Sequence, residues 1–196
     1  MAVPWLTSGE AVKAFLTGRW SISKTFDYRI GGGRGTMAGV ATFTEAPQQR
    51  GILMYEERGT VNMEGIPRPF EAFRRYCFNT TTWPVEVYFV DDPSKKDLKT
   101  LLPALADVHT SFFGALAFRD RPADGSCEVA GFEHLCINDM YAGSLRVTSP
   151  GTFEWNWSIS GPGKDGTIEN SFRRDVERGA EQQEAAAAPA GTSPRL

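Results

Sequence analysis

The sequence predicts a mainly β protein. It reads as one antiparallel β-barrel of about nine or ten strands, with a short N-terminal helix and an inserted helix near 93–107. Three observations carry this reading. Turn signals recur at short, regular spacing along most of the chain, as they do in barrels and sandwiches. Between them, apolar and polar residues alternate with a period of two. Aromatic residues are also numerous, with thirteen Phe, five Tyr and five Trp in 196 residues. These side chains favour strands and bury large areas.

The elements follow in order. In "SGEAVKAFLT" (8–17) Ser8 caps a helix whose apolar stripe is Val12, Phe15 and Leu16, and Gly18 ends it. "GRWSISKTFDYR" (18–29) and "GTMAGVATFTEA" (35–46) alternate on either side of the turn "IGGGRG", which makes a hairpin. "ILMYEERGTV" (52–61) and "PFEAFRRYCFNT" (69–80) form the next pair, and "VEVYFVDD" (85–92) a fifth strand. Leu98, Leu101 and Leu102 have helical spacing within 93–107, where Pro103 interrupts. Strand character returns at "HTSFFGALAF" (109–118). "FEHLCIND" and "YAGSLRVTS" then flank a tight corner. "TFEWNWSISG" (152–161) puts Phe153, Trp155, Trp157 and Ile159 on one face; "GPGKD" (161–165) reads as a hairpin turn and "GTIENSFRRD" (166–175) as the last strand. The barrel domain is assigned to 1–175. Residues 176–196 lack apolar periodicity and read as a low-complexity tail.

One register can be worked out from the residues alone. With the turn after the third strand centred on Gly65–Ile66, Glu57 faces Arg74, Tyr55 faces Tyr76 and Leu53 faces Phe78. An ionic, an aromatic and an apolar pair match at once, each worth about 0.2–1 kcal/mol. If this stripe points into a barrel, it gives a pocket with an apolar floor and a polar mouth, suited to a small ligand. The alternative is a filled barrel with one satisfied ion pair.

Composition excludes several function classes. Net charge is −3, with no basic excess to hold a phosphate backbone. No apolar run reaches the length of a membrane helix. The N-terminal residues lack a secretory pattern, so Cys77, Cys127 and Cys136 are expected as reduced thiols in the cytoplasm.

The motifs resemble known proteins. "FLTGRW" is similar to the helix-then-G-x-W entry of calycin barrels, the class of lipocalins and fatty-acid-binding proteins. "YEERG", "AFRRYCF", "EHLCINDMY", "WSISGPGKD" and "SFRRD" follow the order seen in an uncharacterised family of domains from bacteria and eukaryotic microbes. The resemblance spans roughly 15–174. It implies a calycin-like barrel and no established activity. Gly114 stands where family members tend to have histidine, and Gly166 where they tend to have tyrosine. The resemblance also implies that Trp20 closes the barrel bottom under an arginine of the last strand, Arg174 first and Arg173 second. The attraction would be a cation–π contact.

His134, Cys136 and Asp139 are metal or thiol-chemistry ligands by type, but no further His or Cys motif completes a site. The structural reading has Asp139 capping a tight turn while His134 and Tyr141 anchor the corner by hydrogen bonds. No Ser-His-Asp order, paired-carboxylate signature or dinucleotide fingerprint stands out. The expected function is therefore a non-enzymatic barrel that binds a small, partly apolar molecule. Its site residues are Tyr55, Glu57, Arg74, Tyr76, His134, Tyr141 and Trp157, with Trp20, Asp139 and Arg174 structural. No metal and no cofactor are expected. The alternatives are an accessory subunit of a larger assembly, contacting partners through 93–107 and 176–196, and an enzyme using His134, Tyr141 or Glu57 with Arg74.

Overall fold

The computed structural model describes residues 6–47, 49–90, 112–118 and 126–175. The expected helix near 93–107 and the tail at 176–196 lie outside the described residues.

Among the described residues, one short helix precedes ten antiparallel strands, which form a nearly closed barrel. The helix α1 (Gly9–Leu16) starts where the Ser8 hydroxyl accepts a hydrogen bond from the Ala11 N–H at 3.2 Å. Val12, Phe15 and Leu16 are buried, so the helix lies with its apolar stripe against the lower end of the barrel. The strands are β1 (Gly18–Ile30), β2 (Arg34–Glu45), β3 (Ile52–Met63), β4 (Phe70–Asn79), β5 (Val85–Phe89), β6 (Phe112–Leu116), β7 (Cys127–Cys136), β8 (Asp139–Ser149), β9 (Thr152–Ser160) and β10 (Asp165–Arg174). Their order around the wall is β6-β5-β4-β3-β2-β1-β10-β9-β8-β7. Each sequence neighbour from β1 to β6 and from β7 to β10 pairs antiparallel, and β1 pairs β10 to join the two runs. Between β6 and β7 the described backbone makes one bridge, Phe118 to Val129.

β7 starts at Cys127, five residues before the strand the alternation suggests, because a register shift between Val129 and Phe132 interrupts its period of two. The β3–β4 register is the one read from the sequence: Glu57 opposite Arg74, Tyr55 opposite Tyr76, Leu53 opposite Phe78.

The core is the lower half of the barrel. Trp20, Phe43, Leu53, Phe78, Phe153 and Phe172 are among its largest fully buried side chains. Trp20 donates from Nε1 to the Leu16 carbonyl at 2.8 Å, and its ring meets Phe153 edge-on at 4.9 Å. Trp20 pairs with Arg174 across β1 and β10, and the Arg174 guanidinium lies 4.2 Å from the Trp20 ring centroid. The same guanidinium donates to the carbonyls of Thr17, at 2.9 Å, and Phe15. Arg174 thus fastens the end of α1, whose last carbonyls have no partner in the helix, to the last strand. Arg173 is the exposed neighbour on the outer face.

Gly114 and Gly166 fit the local packing. A Cβ on Gly114 would sit 3.1 Å from the Phe132 ring, so Phe132 occupies the room that a larger residue would need. Gly166, at φ +157, lies against the Asp27 carbonyl, where a Cβ would come within 2.3 Å.

Candidate ligand-binding site

Above the aromatic floor the barrel stays open. A cavity of about 320 Å³ is walled by β1, β2, β3, β4, β9 and β10. Alternation places its lining. Trp20 and Ile22 on the inner face of β1 continue upward as Lys24, Phe26 and Tyr28; Phe172 on β10 continues as Asn170 and Ile168. Tyr76 and Trp157 give aromatic wall, and Met37, Val61, Met63 and Ala72 aliphatic wall.

The charged heart of the site is Glu57, 6% exposed and accepting both contacts of the Lys24 ammonium, at 2.6 and 2.7 Å. The Tyr55 hydroxyl donates to Glu57 Oε2 from below. Burial pulls the Lys24 ammonium below its ordinary pKa, with the Glu57 carboxylate opposing the shift. Burial, and then the neighbouring Glu57 charge, hold the Tyr55 phenol well above its usual value. At the mouth, burial pushes Tyr28 up to about 12, with Tyr141 adding to the rise. Lys24 pairs across the sheet with Asn170 on β10 and with Met37 on β2. Asn170 donates from its side-chain nitrogen to the Trp155 carbonyl, while its Oδ1 is buried and has no partner. Trp155 Nε1 is a second buried polar atom without one.

Of the seven binding residues expected from sequence, Glu57, Arg74, Tyr76 and Trp157 line this cavity. Tyr55 is 1% exposed and sits beneath it, gripping Glu57 rather than facing the open space. His134 and Tyr141 are cross-strand partners and do not line the cavity. His134 packs between Phe89 and Phe113, 5.2 Å from each ring, and hydrogen-bonds to the Phe113 backbone; burial depresses its pKa. Tyr141 meets Trp157 edge-on. Asp139 Oδ1 does cap a turn, but the turn between β9 and β10 rather than its own. It accepts from Gly163 N at 2.9 Å and Lys164 N at 3.1 Å. Cys136 is exposed, Cys77 and Cys127 are buried, and the three form no disulfide. Among the described residues no group of three His, Cys, Asp or Glu side chains is arranged to hold a metal ion, and no helix is long and apolar enough to cross a membrane.

Sequence reading missed Lys24 and Asn170. The signal was present: each is a polar residue in the inward phase of an otherwise apolar or aromatic alternation, Trp20-Ile22-Lys24-Phe26 and Ile168-Asn170-Phe172. A lysine in that phase has to find an anion inside.

No curated protein matches the chain. Two solved structures are among those similar to the chain. The crystal structure of Rv2717c from M. tuberculosis is 9% identical, over 86% of this chain and 98% of that one, with a TM-score of 0.47. A protein of unknown function of the DUF3598 family from Nostoc punctiforme is 9% identical, over 83% of this chain and 49% of that one, with a TM-score of 0.43. The model of one family of unknown function covers residues 16–174, from the end of α1 to the arginine stacked on Trp20. The chain belongs to that family, DUF6314.

Proposed function

We propose that the barrel is a binding module for a small, partly apolar molecule held in the upper lumen. The observation that carries this is the cavity itself. Its volume falls at the small end of the roughly 300–1,000 Å³ of ligand pockets, and its lining joins apolar and aromatic residues to four polar ones, Lys24, Glu57, Arg74 and Asn170. Native mass spectrometry of the purified protein tests the reading, together with Ala72→Trp, which fills the lumen from the β4 wall. The expected result is a co-purifying small molecule on the wild type that is lost in the variant, with the melting temperature little changed. Equal occupancy of wild type and variant would refute it.

A second reading, an accessory subunit, is supported by the β7–β8 hairpin tip. Leu135 is 60% exposed and Ile137 88% exposed, and Ile137 has a left-handed φ of 59. A β-branched residue rarely takes that conformation, so the tip presents an apolar side chain at a conformational cost. Size-exclusion chromatography of the full chain from its native source tests this: co-elution with a larger complex that is lost in Ile137→Asp supports it, and a lone monomer in both counts against it.

A further inference from the structure

We propose that the lumen takes an aldehyde or ketone, and that Lys24 Nζ holds it as a reversible imine with Glu57 as counter-ion. This rests on the binding reading above and names the chemical class of its ligand. Three observations converge.

The first is where the amine stands. Lys24 lies in the inward phase of β1, between Ile22 and Phe26, and lines the cavity. Its side chain is 13% exposed. A side chain on the inner face has no outer surface to show, so that exposure opens on the lumen. Among the described lining residues Lys24 is the one primary amine, and no Cys, Ser or Thr stands beside it as a competing nucleophile.

The second is its hydrogen bonding. An ammonium has three N–H donors. Lys24 gives two to the Glu57 oxygens, at 2.6 and 2.7 Å, and the third has no acceptor among the described residues. A ligand carbonyl oxygen that accepts it sets its own carbon beside Nζ.

The third is the carboxylate. Attack needs the free amine, and burial pulls the Lys24 ammonium below its ordinary pKa, with Glu57 opposing. Glu57 is placed to take the proton. The Nζ lone pair then bonds to the carbonyl carbon as the C=O π pair moves to oxygen. One proton passes from nitrogen to that oxygen, giving a neutral carbinolamine. Glu57 returns its proton to the hydroxyl, the C–O bond breaks, and water leaves as nitrogen forms the C=N bond. An ammonium and a carbonyl have become an iminium and water, with nothing oxidised or reduced. The iminium N–H faces Glu57 as the ammonium did, so the buried pair keeps its charge balance. Tyr55, donating to Glu57 Oε2, holds the carboxylate in place.

The test treats the full chain with benzaldehyde near neutral pH, then with borohydride, and maps the peptides by mass. Benzaldehyde suits the aromatic wall of Phe26, Tyr76 and Trp157, and borohydride reduces an imine to a stable secondary amine. Exposed lysines, with a pKa of about 10.4, are almost wholly protonated at that pH. The expected result is a single adduct, at Lys24, formed at least about tenfold faster than at the exposed Lys164. Lys24→Arg keeps a cation facing Glu57 but has no amine to react, and it should lose the adduct. Labelling of Lys24 no faster than of Lys164 in the wild type overturns the inference without needing a variant to fold. Calorimetry with benzyl alcohol, which has the ring but no carbonyl, separates the two readings. Binding of benzyl alcohol with no adduct at Lys24 overturns the inference and leaves the binding reading standing. Neither binding nor adduct, with nothing co-purified, removes the basis of both.

Discussion

Replacing Glu57 with Gln keeps the side chain's size and a carbonyl acceptor but removes the charge that faces Lys24. The Lys24 side chain is 13% exposed and that of Glu57 8%, so the ammonium would be left in a poorly solvated place with no compensating anion at 2.6 Å. Breaking one side of a buried pair costs about 3–5 kcal/mol, a fifth or more of the stability of a typical domain of about 5–15 kcal/mol. Replacing both partners, Lys24→Met with Glu57→Gln, removes the two charges together and keeps an acceptor for the Tyr55 hydroxyl. That change is expected to recover most of the single-variant loss. The pH dependence has a definite sign. Burial already holds folded Lys24 below its ordinary value, and without Glu57 it falls further. The unfolded chain then binds more protons than the folded one, from the folded pKa up to about 10.4. Stability of Glu57→Gln therefore rises as the solution is made alkaline through that window, and more steeply than in the wild type. Urea unfolding of the four members of the cycle at neutral and alkaline pH measures all of this. A single-variant loss below about 1 kcal/mol that does not change with pH, or a double variant whose loss equals the sum of the singles, would refute the reasoning.

Three further outcomes follow from the geometry. Trp20→Ala loses a fully buried ring, its hydrogen bond to Leu16 and the Arg174 contact, and is expected to cost about 3–5 kcal/mol; thermal unfolding should fall by roughly 6–20 °C, and an unchanged midpoint would contradict the role given to Trp20. Ile137→Gly relieves a left-handed β-branched residue at the first position of a two-residue hairpin loop, where glycine is favoured; chemical denaturation should show a gain of about 1 kcal/mol. In an ultraviolet titration, Tyr28 and Tyr88, both held up to about 12, and Tyr55 should stay protonated past the ordinary phenol range. Because the unfolded chain releases those protons first, near pH 10, stability should decline as pH rises above that value, and ionisation of all five tyrosines together in the folded protein would contradict the burial of these three.

The barrel's closure at its base was legible because the residues that make it are few and specific. A helix stripe of Val12, Phe15 and Leu16 followed by Trp20 can seal only one end of a sheet, and the stacked arginine was found at Arg174, the first of the two candidates. The β3–β4 register was legible because three chemically distinct pairs agreed at one alignment. The cavity was half legible. Glu57, Arg74, Tyr76 and Trp157 came from one hairpin and one strongly alternating strand, where face can be read locally. Lys24 and Asn170 sit on β1 and β10, strands that meet only after the whole chain has wound around, and nothing local says that they are neighbours. The corner at 132–143 misled for a related reason. Asp139 looked committed to its own turn, but its acceptor capacity goes to backbone N–H groups of a hairpin 24 residues further on. His134 and Tyr141 share a face, as their spacing across the corner suggests, but β7 carries them around the wall, away from the open part of the lumen.

The join between β6 and β7 behaves differently from the rest of the wall. Elsewhere rows of peptide hydrogen bonds hold strand to strand; here, among the described residues, one bridge is supplemented by side chains, with Phe113 lying against Phe132 and His134. Peptide ladders tolerate cooling, whereas the attraction between apolar side chains weakens as temperature drops. The cylinder thus has one lengthwise zip whose grip is thermal in character. Chilling should slacken that zip first and let the wall part along it, while the nine laddered strand pairs keep their shape.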